Sequence, residues 1–169
     1  MPLDLDLSAE QDMLTEMVAG VADRFSPLTT VRELEDDPTG YSPELWSQLG
    51  ELGLIGLLLP EAHDGSGMSM VDAVVVYKEL GRTLVPSPHL VSSVLAGGVI
   101  ARGAGDEQQA GWLPTLASGE AIWTVAVHEP GGGFTDAGVI TQATVADEGF
   151  ALTGTKRHVH FAAAARHLI

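Results

Sequence analysis

The sequence predicts an α+β chain: an N-terminal all-α helical bundle, residues 1–119, followed by the first strands of an incomplete β domain, residues 120–169. In the first two thirds, apolar residues recur every three or four positions, the period of one helix face. After Gly119, β-branched and aromatic residues become frequent and then alternate with polar ones, as in strands. All 23 acidic residues lie at or before Glu148, so the charge also changes between the two parts.

Composition excludes several classes of function. The 169 residues include eight Lys and Arg against 23 Asp and Glu, a net charge of −15. Such a surface repels phosphate backbones and anionic lipid, which argues against nucleic-acid partners and membrane association. The absence of Cys excludes disulfides, thiol catalysis and zinc–thiolate sites. With an acidic N-terminus and no apolar run long enough to span a bilayer, we expect a cytoplasmic protein without membrane insertion.

Helix start signals divide the bundle into five long helices. Ser8 with Gln11 fits a capping box, and the apolar stripe that follows ends at Pro27. The helix that starts near Ser69 should run to about Arg82, and the last helix should bend at Pro114. The remaining starts are indicated by Ser42-Pro43, Ser69 with Asp72, Ser87-Pro88, and Asp106 with Gln109.

Strand patterns begin directly after the bundle. Residues 121–127 favour a strand, residues 139–145 and 150–153 should form a hairpin, and residues 157–161 are a further strand candidate. These strands are too few to cover both faces of a sheet or to pair its edges. The chain also ends at His167-Leu168-Ile169 without a polar tail, so we expect a piece of a longer protein.

Short sequence strings resemble those of one family over essentially the whole chain. In order they are Leu45-Trp46, Leu52-Gly53-Leu54-Ile55-Gly56, Pro60-Glu61 with Gly65-Ser66-Gly67, Glu79-Leu80-Gly81-Arg82, Leu116-Ala117-Ser118-Gly119-Glu120, His128-Glu129-Pro130-Gly131, and Leu152-Thr153-Gly154-Thr155-Lys156. Their order and spacing resemble the acyl-CoA dehydrogenase family. The resemblance implies an N-terminal helical domain followed by the beginning of a middle β-barrel domain. The rest of the barrel and the family's C-terminal four-helix domain would lie outside this chain.

The resemblance implies a flavoprotein oxidoreductase that uses FAD in fatty acid or steroid catabolism. In the family, a carboxylate base removes a proton α to the carbonyl of an acyl-CoA thioester, and a hydride passes from the β carbon to the flavin. The base lies in the C-terminal domain, so we assign no catalytic residue here and expect the 169-residue chain alone to be inactive. The implied partners are the acyl-CoA substrate, an electron-transfer acceptor and further subunits in a homo- or hetero-oligomer.

Two family motifs place the flavin contacts, and both depart from the family pattern. In Thr-Glu-Pro-Gly-x-Gly-Ser-Asp, His128 replaces the Thr and Phe134 the Ser; in Lys-x-Trp-Ile-Thr-Asn, His158 replaces the Trp and His160 the Thr. The implied flavin contacts are Val125, Val127, His128, Gly133, Phe134, His158 and His160. Either the site is remodelled, so that imidazoles stabilise the charge of reduced flavin, or it has decayed in a non-catalytic, flavin-free partner subunit of a heteromeric enzyme.

The same residues allow other interpretations. On a strand, His158 and His160 would share a face, and with His128 they could hold a divalent metal ion. No neighbouring carboxylate supports this, so the histidines can equally be ordinary polar residues of a remodelled pocket, and we assign no metal. The glycine run 131–133 could present backbone N–H groups to a phosphate, or could simply be a flexible turn.

The helix that starts near Pro88 should line the acyl pocket, as it does in the family. The implied substrate contacts are Leu95, Gly97, Gly98 and Phe134. Glycine is unfavourable inside a helix, so either the small residues make room for a bulky acyl group or they let two helices pack closely. We interpret His63 and His89 as surface residues, and Glu79 with Arg82 as an exposed ion pair without a chemical role.

Overall fold

The computed structural model describes residues 6–133, 135–147 and 149–169. It confirms the α+β class, with a helical part followed by short strands. The helices are α1 (Ala9–Phe25), α2 (Leu28–Glu33), α3 (Pro43–Glu51), α4 (Met70–Arg82), α5 (Gly97–Gly103) and α6 (Asp106–Ala117). The strands are β1 (Trp123–Thr124), β2 (Gln142–Ala146), β3 (Gly149–Thr153) and β4 (His167–Leu168). Single 3₁₀ turns form at Glu61–His63 and Asp136–Gly138, and a π-helical segment, Leu90–Ala96, runs directly into α5.

The predicted caps of α1 and α4 form and hold the two helices together at their N-terminal ends. The Ser8 hydroxyl accepts a hydrogen bond from the Gln11 backbone N–H, and the Gln11 side chain accepts one from the Ser8 N–H, each at 3.2 Å. The Gln11 amide also donates to Asp72 at 2.8 Å, and Asp72 caps α4 by accepting from Ser69. Each cap satisfies backbone donors that the first helical turn leaves unpaired.

The core of the helical part is apolar and closely packed. Its largest fully buried apolar side chains are Leu45, Leu49, Leu54, Ile55, Leu59, Ile100, Leu113 and Leu116. Trp46 of α3 closes one end of this core, because its indole N–H donates to the Gly119 carbonyl at 2.8 Å. Gly119 has a φ of +79°, and a Cβ there would lie 2.6 Å from the Ile55 side chain, so the position requires glycine.

The helix predicted from Ser87-Pro88 begins with a wide π-helical turn in which two buried serines bond to other parts of the chain. The Ser93 hydroxyl donates to the Ile55 carbonyl, and the Ser92 hydroxyl accepts from the Trp123 N–H at 3.1 Å. Strand β1 is therefore attached directly to this helix. Widened turns of this kind often occur at functional sites.

Two details of the helical part differ from the sequence prediction. Helix α2 was not predicted, because its six residues include no buried side chain and hence no apolar stripe. The first residues of α6 are capped through Gln108, whose side chain accepts from the Gly105 N–H at 3.1 Å, and not through Asp106 with Gln109. Helix α6 then continues through Pro114 to Ala117.

The β part consists of two separate two-stranded ladders among the described residues. Strand β1 pairs in parallel with β4, with Trp123 opposite His167, and β2 pairs with β3 in the predicted antiparallel hairpin. Every residue of the hairpin that the structure describes is exposed, including apolar Val145, Phe150 and Leu152. The sheet is thus incomplete within this chain, as the sequence predicted.

The strand predicted at residues 157–161 was wrong. These residues follow an irregular path, with His158 and Phe161 at positive φ values of 54° and 53°. The segment is held beside β1 by two long-range hydrogen bonds. The Arg157 N–H donates to the His128 carbonyl at 2.8 Å, and the Thr124 hydroxyl donates to the His160 carbonyl at 2.7 Å. Strand β1 is likewise only two residues long, instead of the predicted 121–127.

The interpretation of His89 as a surface residue was also wrong, because its ring is buried between α4 and the 54–59 segment. The carbonyl of Leu54 lies 2.9 Å from Nε2, and the Tyr77 hydroxyl lies 2.7 Å from Nδ1. A carbonyl only accepts, so Nε2 carries the proton and Nδ1 accepts from Tyr77. Burial lowers the pKa of His89 below its ordinary value, with the Leu54 contact partly opposing this shift.

Glu79 and Arg82 do form an ion pair, at 2.7 Å, but the predicted exposure of the pair was only half correct. The guanidinium of Arg82 is exposed, whereas Glu79 is buried at 7% relative exposure. The carboxylate points toward the core because Glu79 shares the buried face of α4 with Val76 and Leu80.

We predict that the free energy of unfolding falls as the pH is lowered below about 6.5, because the unfolded chain binds a proton at His89 that the folded chain excludes. One such group contributes a slope of at most about 1.4 kcal/mol per pH unit. Urea unfolding between pH 5.5 and 7.5 measures this slope, and H89Q, which cannot titrate, should flatten it. Identical slopes for the two proteins would contradict the assignment.

Candidate functional site

A cleft of about 380 Å³ opens between the end of β1 and the π-helical segment. Its walls combine apolar side chains with imidazoles, and we refer to it as the histidine cleft. It is lined by Leu95, Val125, Val127, His128, His158 and His160. Five of these six residues are flavin contacts implied by the sequence, and the sixth, Leu95, is an implied substrate contact. Segments more than 60 residues apart in the chain therefore meet at one site.

The three imidazoles reach the cleft from two chain segments. His128 follows β1, whereas His158 and His160 lie on the irregular segment that β1 holds beside it. The rings of His128 and His158 meet edge to face, with centroids 6.5 Å apart and planes inclined by 82°. The left-handed backbone at His158 replaces the simple alternation of a strand, but His158 and His160 both still line the cleft.

A buried ion pair lies directly behind the histidine cleft. Lys156 Nζ is 2.6 Å from Glu129 Oε1, and the Glu129 side chain is almost fully buried. The second carboxylate oxygen accepts from the backbone N–H groups of Ile140 and Thr141, at 2.7 and 3.0 Å. The carboxylate therefore joins three segments: the loop after β1, the approach to β2 and the segment after β3.

The charge of this carboxylate is strongly favoured. The hydrogen bond from Lys156 is the largest cause, and together with the backbone donors it lowers the pKa of Glu129 to about 2. Because the folded pKa lies below the ordinary value of 4.5, the resulting stabilisation is complete above about pH 4.5 and is lost as the pH falls toward 2. Around neutral pH, Glu129 and Lys156 form a constant, charge-balanced pair.

Two implied flavin contacts are not found in the cleft. Gly133 lies in the glycine loop that packs against the 3₁₀ turn, where a Cβ on Gly132 would come within 2.7 Å of the Gly138 carbonyl, and it does not line the cleft. Phe134 lies outside the described residues. The structure thus brings together the β1 and histidine contacts but not the glycine-loop contacts.

The three implied substrate residues of the long helix face different surroundings. Leu95 lines the histidine cleft and also a shallow groove beside it, which Gly98 and Val99 continue along the helix. Gly97 faces inward, where a Cβ would lie 2.7 Å from the Leu59 side chain. Close packing therefore explains Gly97, whereas Gly98 leaves space on the groove side.

The structure gives no geometric support to a metal site. Within residues 6–133, 135–147 and 149–169, His, Asp and Glu side chains form no group of three or more arranged to hold a metal ion. The cleft has instead the chemistry of a site for a flat organic ring: apolar walls that exclude water, and imidazole nitrogens that can hydrogen-bond to a polar ring edge.

Sequence reasoning quoted Glu129 and Lys156 as family matches but gave them no role. Opposite charges 27 residues apart carry no local signal that they pair. The only available hint was that an otherwise acid-free segment, 149–169, contains a Lys beside the implied flavin contacts.

Comparison with known proteins identifies the family. Residues 8–120 match the model of the acyl-CoA dehydrogenase N-terminal domain. The chain is 34% identical over 154 residues to acyl-CoA dehydrogenase FadE27 of Mycobacterium tuberculosis, covering 90% of this chain and 39% of that protein. It resembles a chain of the ChsE4-ChsE5 complex from Mycobacterium tuberculosis with a TM-score of 0.84 and 30% identity, covering 98% and 44% of the two chains. For an acyl-CoA dehydrogenase complexed with FAD from Bacillus anthracis, the values are 0.79, 27%, 91% and 27%.

The chain belongs to the acyl-CoA dehydrogenase family. It spans less than half of the length of each of these three relatives. The described part of the chain has no helix that is both long and apolar enough to cross a bilayer.

We predict that alanine at the two adjacent glycines of α5 has opposite effects. Gly98→Ala should be neutral or stabilising, by up to about 1 kcal/mol, because its Cβ meets only the mobile end of Arg102 and alanine favours helix. Gly97→Ala should be destabilising, because overpacking against buried Leu59 costs about 1–3 kcal/mol. Urea unfolding of both variants checks this, and equal effects would contradict the different roles given to the two glycines.

Proposed function

We propose that this chain forms the N-terminal and flavin-contacting part of an FAD-dependent acyl-CoA dehydrogenase that catalyses α,β-dehydrogenation of an acyl-CoA thioester. One observation carries the proposal. Five residues chosen from family motifs as flavin contacts line a single cleft, although they come from two chain segments that are 28 or more residues apart at their histidines. A decayed site would have no physical reason to keep these side chains together around open space.

The residues of the cleft fit the ring system of a flavin. Val125, Val127 and Leu95 offer apolar surface to its hydrocarbon part, and His128, His158 and His160 offer N–H groups to its polar edge. FAD, when bound, supplies the hydride-accepting chemistry of the family. The residues of this chain bind and orient the ring, exclude water from one side of it, and place imidazoles where they can balance negative charge.

We place the acyl group of the substrate along the groove that continues from the cleft over Leu95, Gly98 and Val99. The groove is apolar and shares Leu95 with the histidine cleft, so one end of a bound acyl chain would lie beside the flavin site. None of the described residues is assigned as the base that removes the α proton. The electron-transfer acceptor is placed among the partners of the complete enzyme on the family resemblance alone.

A second candidate is a flavin-free partner subunit of a heteromeric acyl-CoA dehydrogenase. Two observations favour it: the similarity to a chain of the ChsE4-ChsE5 complex, and the replacement of a Trp and two Thr of the family motifs by histidine. An imidazole is larger than a Thr side chain and smaller than an indole, so the shape of the ring site differs from the family pattern. In this case, flavin would be held mainly by the other subunit.

We predict that the purified protein binds FAD and that removing one cleft imidazole weakens binding. His158→Ala should raise the Kd for FAD by about tenfold, because it removes one hydrogen-bonding group and part of the cleft wall. His63→Ala is the matched control, since His63 does not line the cleft. Flavin fluorescence quenching measures the Kd, and the visible absorption spectrum reports bound cofactor.

The outcomes separate the two candidates. A protein that binds no FAD by itself, but acquires flavin absorption when a second acyl-CoA dehydrogenase subunit is added, contradicts the first candidate and supports the second. Equal loss of affinity in the His158 and His63 variants would contradict the placement of flavin in the histidine cleft.

A further inference from the structure

The ion pair between Glu129 and Lys156 occupies an unusual position relative to the histidine cleft. Neither residue lines the cleft, yet Glu129 directly follows His128 in the chain and Lys156 precedes His158 by two residues. The pair therefore joins, from behind, the two segments that bring imidazoles to the cleft. The Arg157 N–H, which donates to the His128 carbonyl at 2.8 Å, links the same segments through the backbone.

The contacts of Glu129 also fix a third segment. One carboxylate oxygen receives Lys156 at 2.6 Å, and the other receives the N–H groups of Ile140 and Thr141. These two residues precede β2, which otherwise pairs only with β3 in an exposed hairpin. The carboxylate thus ties the hairpin to the loop after β1 at a point where few apolar contacts are available.

The exposure of the two partners suits a positioning role. Glu129 is 5% exposed, and the Lys156 side chain is 29% exposed, so the ammonium reaches inward from the surface along its apolar stem. A buried ion pair is a poor source of net stability compared with apolar packing, but it demands a defined geometry because each charge must keep its partner. Lys156 is also occupied by Glu129, so its charge is already balanced and the imidazoles remain the polar groups of the cleft.

We propose that Glu129 and Lys156 are positioning residues that set the spacing of the His128 and His158 imidazoles, and through that spacing the affinity of the cleft for flavin. This inference rests on the proposed function for its ligand, but the spacing of the two rings is a property of the chain itself. Small displacements of positioning groups can change binding and rate by large factors, since hydrogen bonds depend steeply on geometry.

The test compares four variants of the complete protein. Glu129→Gln keeps the size of the side chain and an oxygen acceptor for Ile140 and Thr141, but loses the ion pair. We expect it to raise the Kd for FAD by at least about tenfold and to alter the visible spectrum of the flavin that remains bound. Lys156→Gln should have a similar effect, and the double variant should lose no more than the worse single variant, because the two residues act as one unit.

Lys156→Arg provides the conservative rescue. Arginine keeps the positive charge and can donate to the same carboxylate, so its Kd for FAD should lie within about threefold of the unaltered protein. The chain also offers a matched control, since the pair of Glu79 and Arg82 has the same 2.7 Å spacing range but lies on α4, away from the cleft. Glu79→Gln should lower thermal stability while leaving the Kd for FAD and the flavin spectrum unchanged.

A second measurement works without flavin. With selectively labelled histidine, NMR should detect a nuclear Overhauser effect between the His128 and His158 rings, whose centroids lie 6.5 Å apart, and Glu129→Gln should remove it. Loss of this signal in a protein that binds no FAD would support the positioning role and overturn only the proposed function. Persistence of the signal, or an unchanged Kd and spectrum in Glu129→Gln, would overturn the positioning role.

Discussion

The hydrogen bonds of strand β1 are the constraint on which the rest of the site depends. On one side, the Trp123 N–H donates to Ser92 in the π-helical segment. On the other side, Thr124 holds His160, and the Ile122 carbonyl accepts from the Arg166 N–H. These bonds are buried, where an unpaired donor or acceptor is costly, so β1 cannot move without loss on both sides. The histidine cleft exists because this short strand holds the helix and the 157–160 segment at a fixed separation.

The distribution of charge gives the cleft its chemical character. The chain carries a net charge of −15, yet residues 149–169 contain no acid and supply two of the three cleft histidines. The nearest buried carboxylate, Glu129, is already paired with Lys156 and faces away from the cleft lining. The cleft is therefore locally free of negative charge in a strongly acidic protein, which suits a ligand whose polar edge gains electron density on reduction. The exposed hairpin and open groove beside it agree with a chain that spans less than half of its relatives.

Much of the helical part followed from the sequence because its determinants are local. The boxes at Ser8 and Ser69, the first-turn proline at Pro43 and the apolar stripes act over three to five residues, and the structure confirms them. The errors have the opposite origin. His89 was misassigned because its partners, Tyr77 and Leu54, lie 12 and 35 residues away in sequence. Residues 157–161 show strand-like alternation, but they follow β1 through single hydrogen bonds and positive φ values that no propensity indicates.

The sequence by itself therefore determined the fold class, the family resemblance and the identity of the residues at the flavin motifs, because each is written in short strings of adjacent residues. It named five of the residues that line the histidine cleft without being able to place them together. Only the tertiary structure decided that His128 and His158 meet edge to face, that Gly97 packs against Leu59, and that Glu129 pairs with Lys156. The physical reason is that these contacts join positions 27 to 38 residues apart, and such contacts depend on how every intervening element packs.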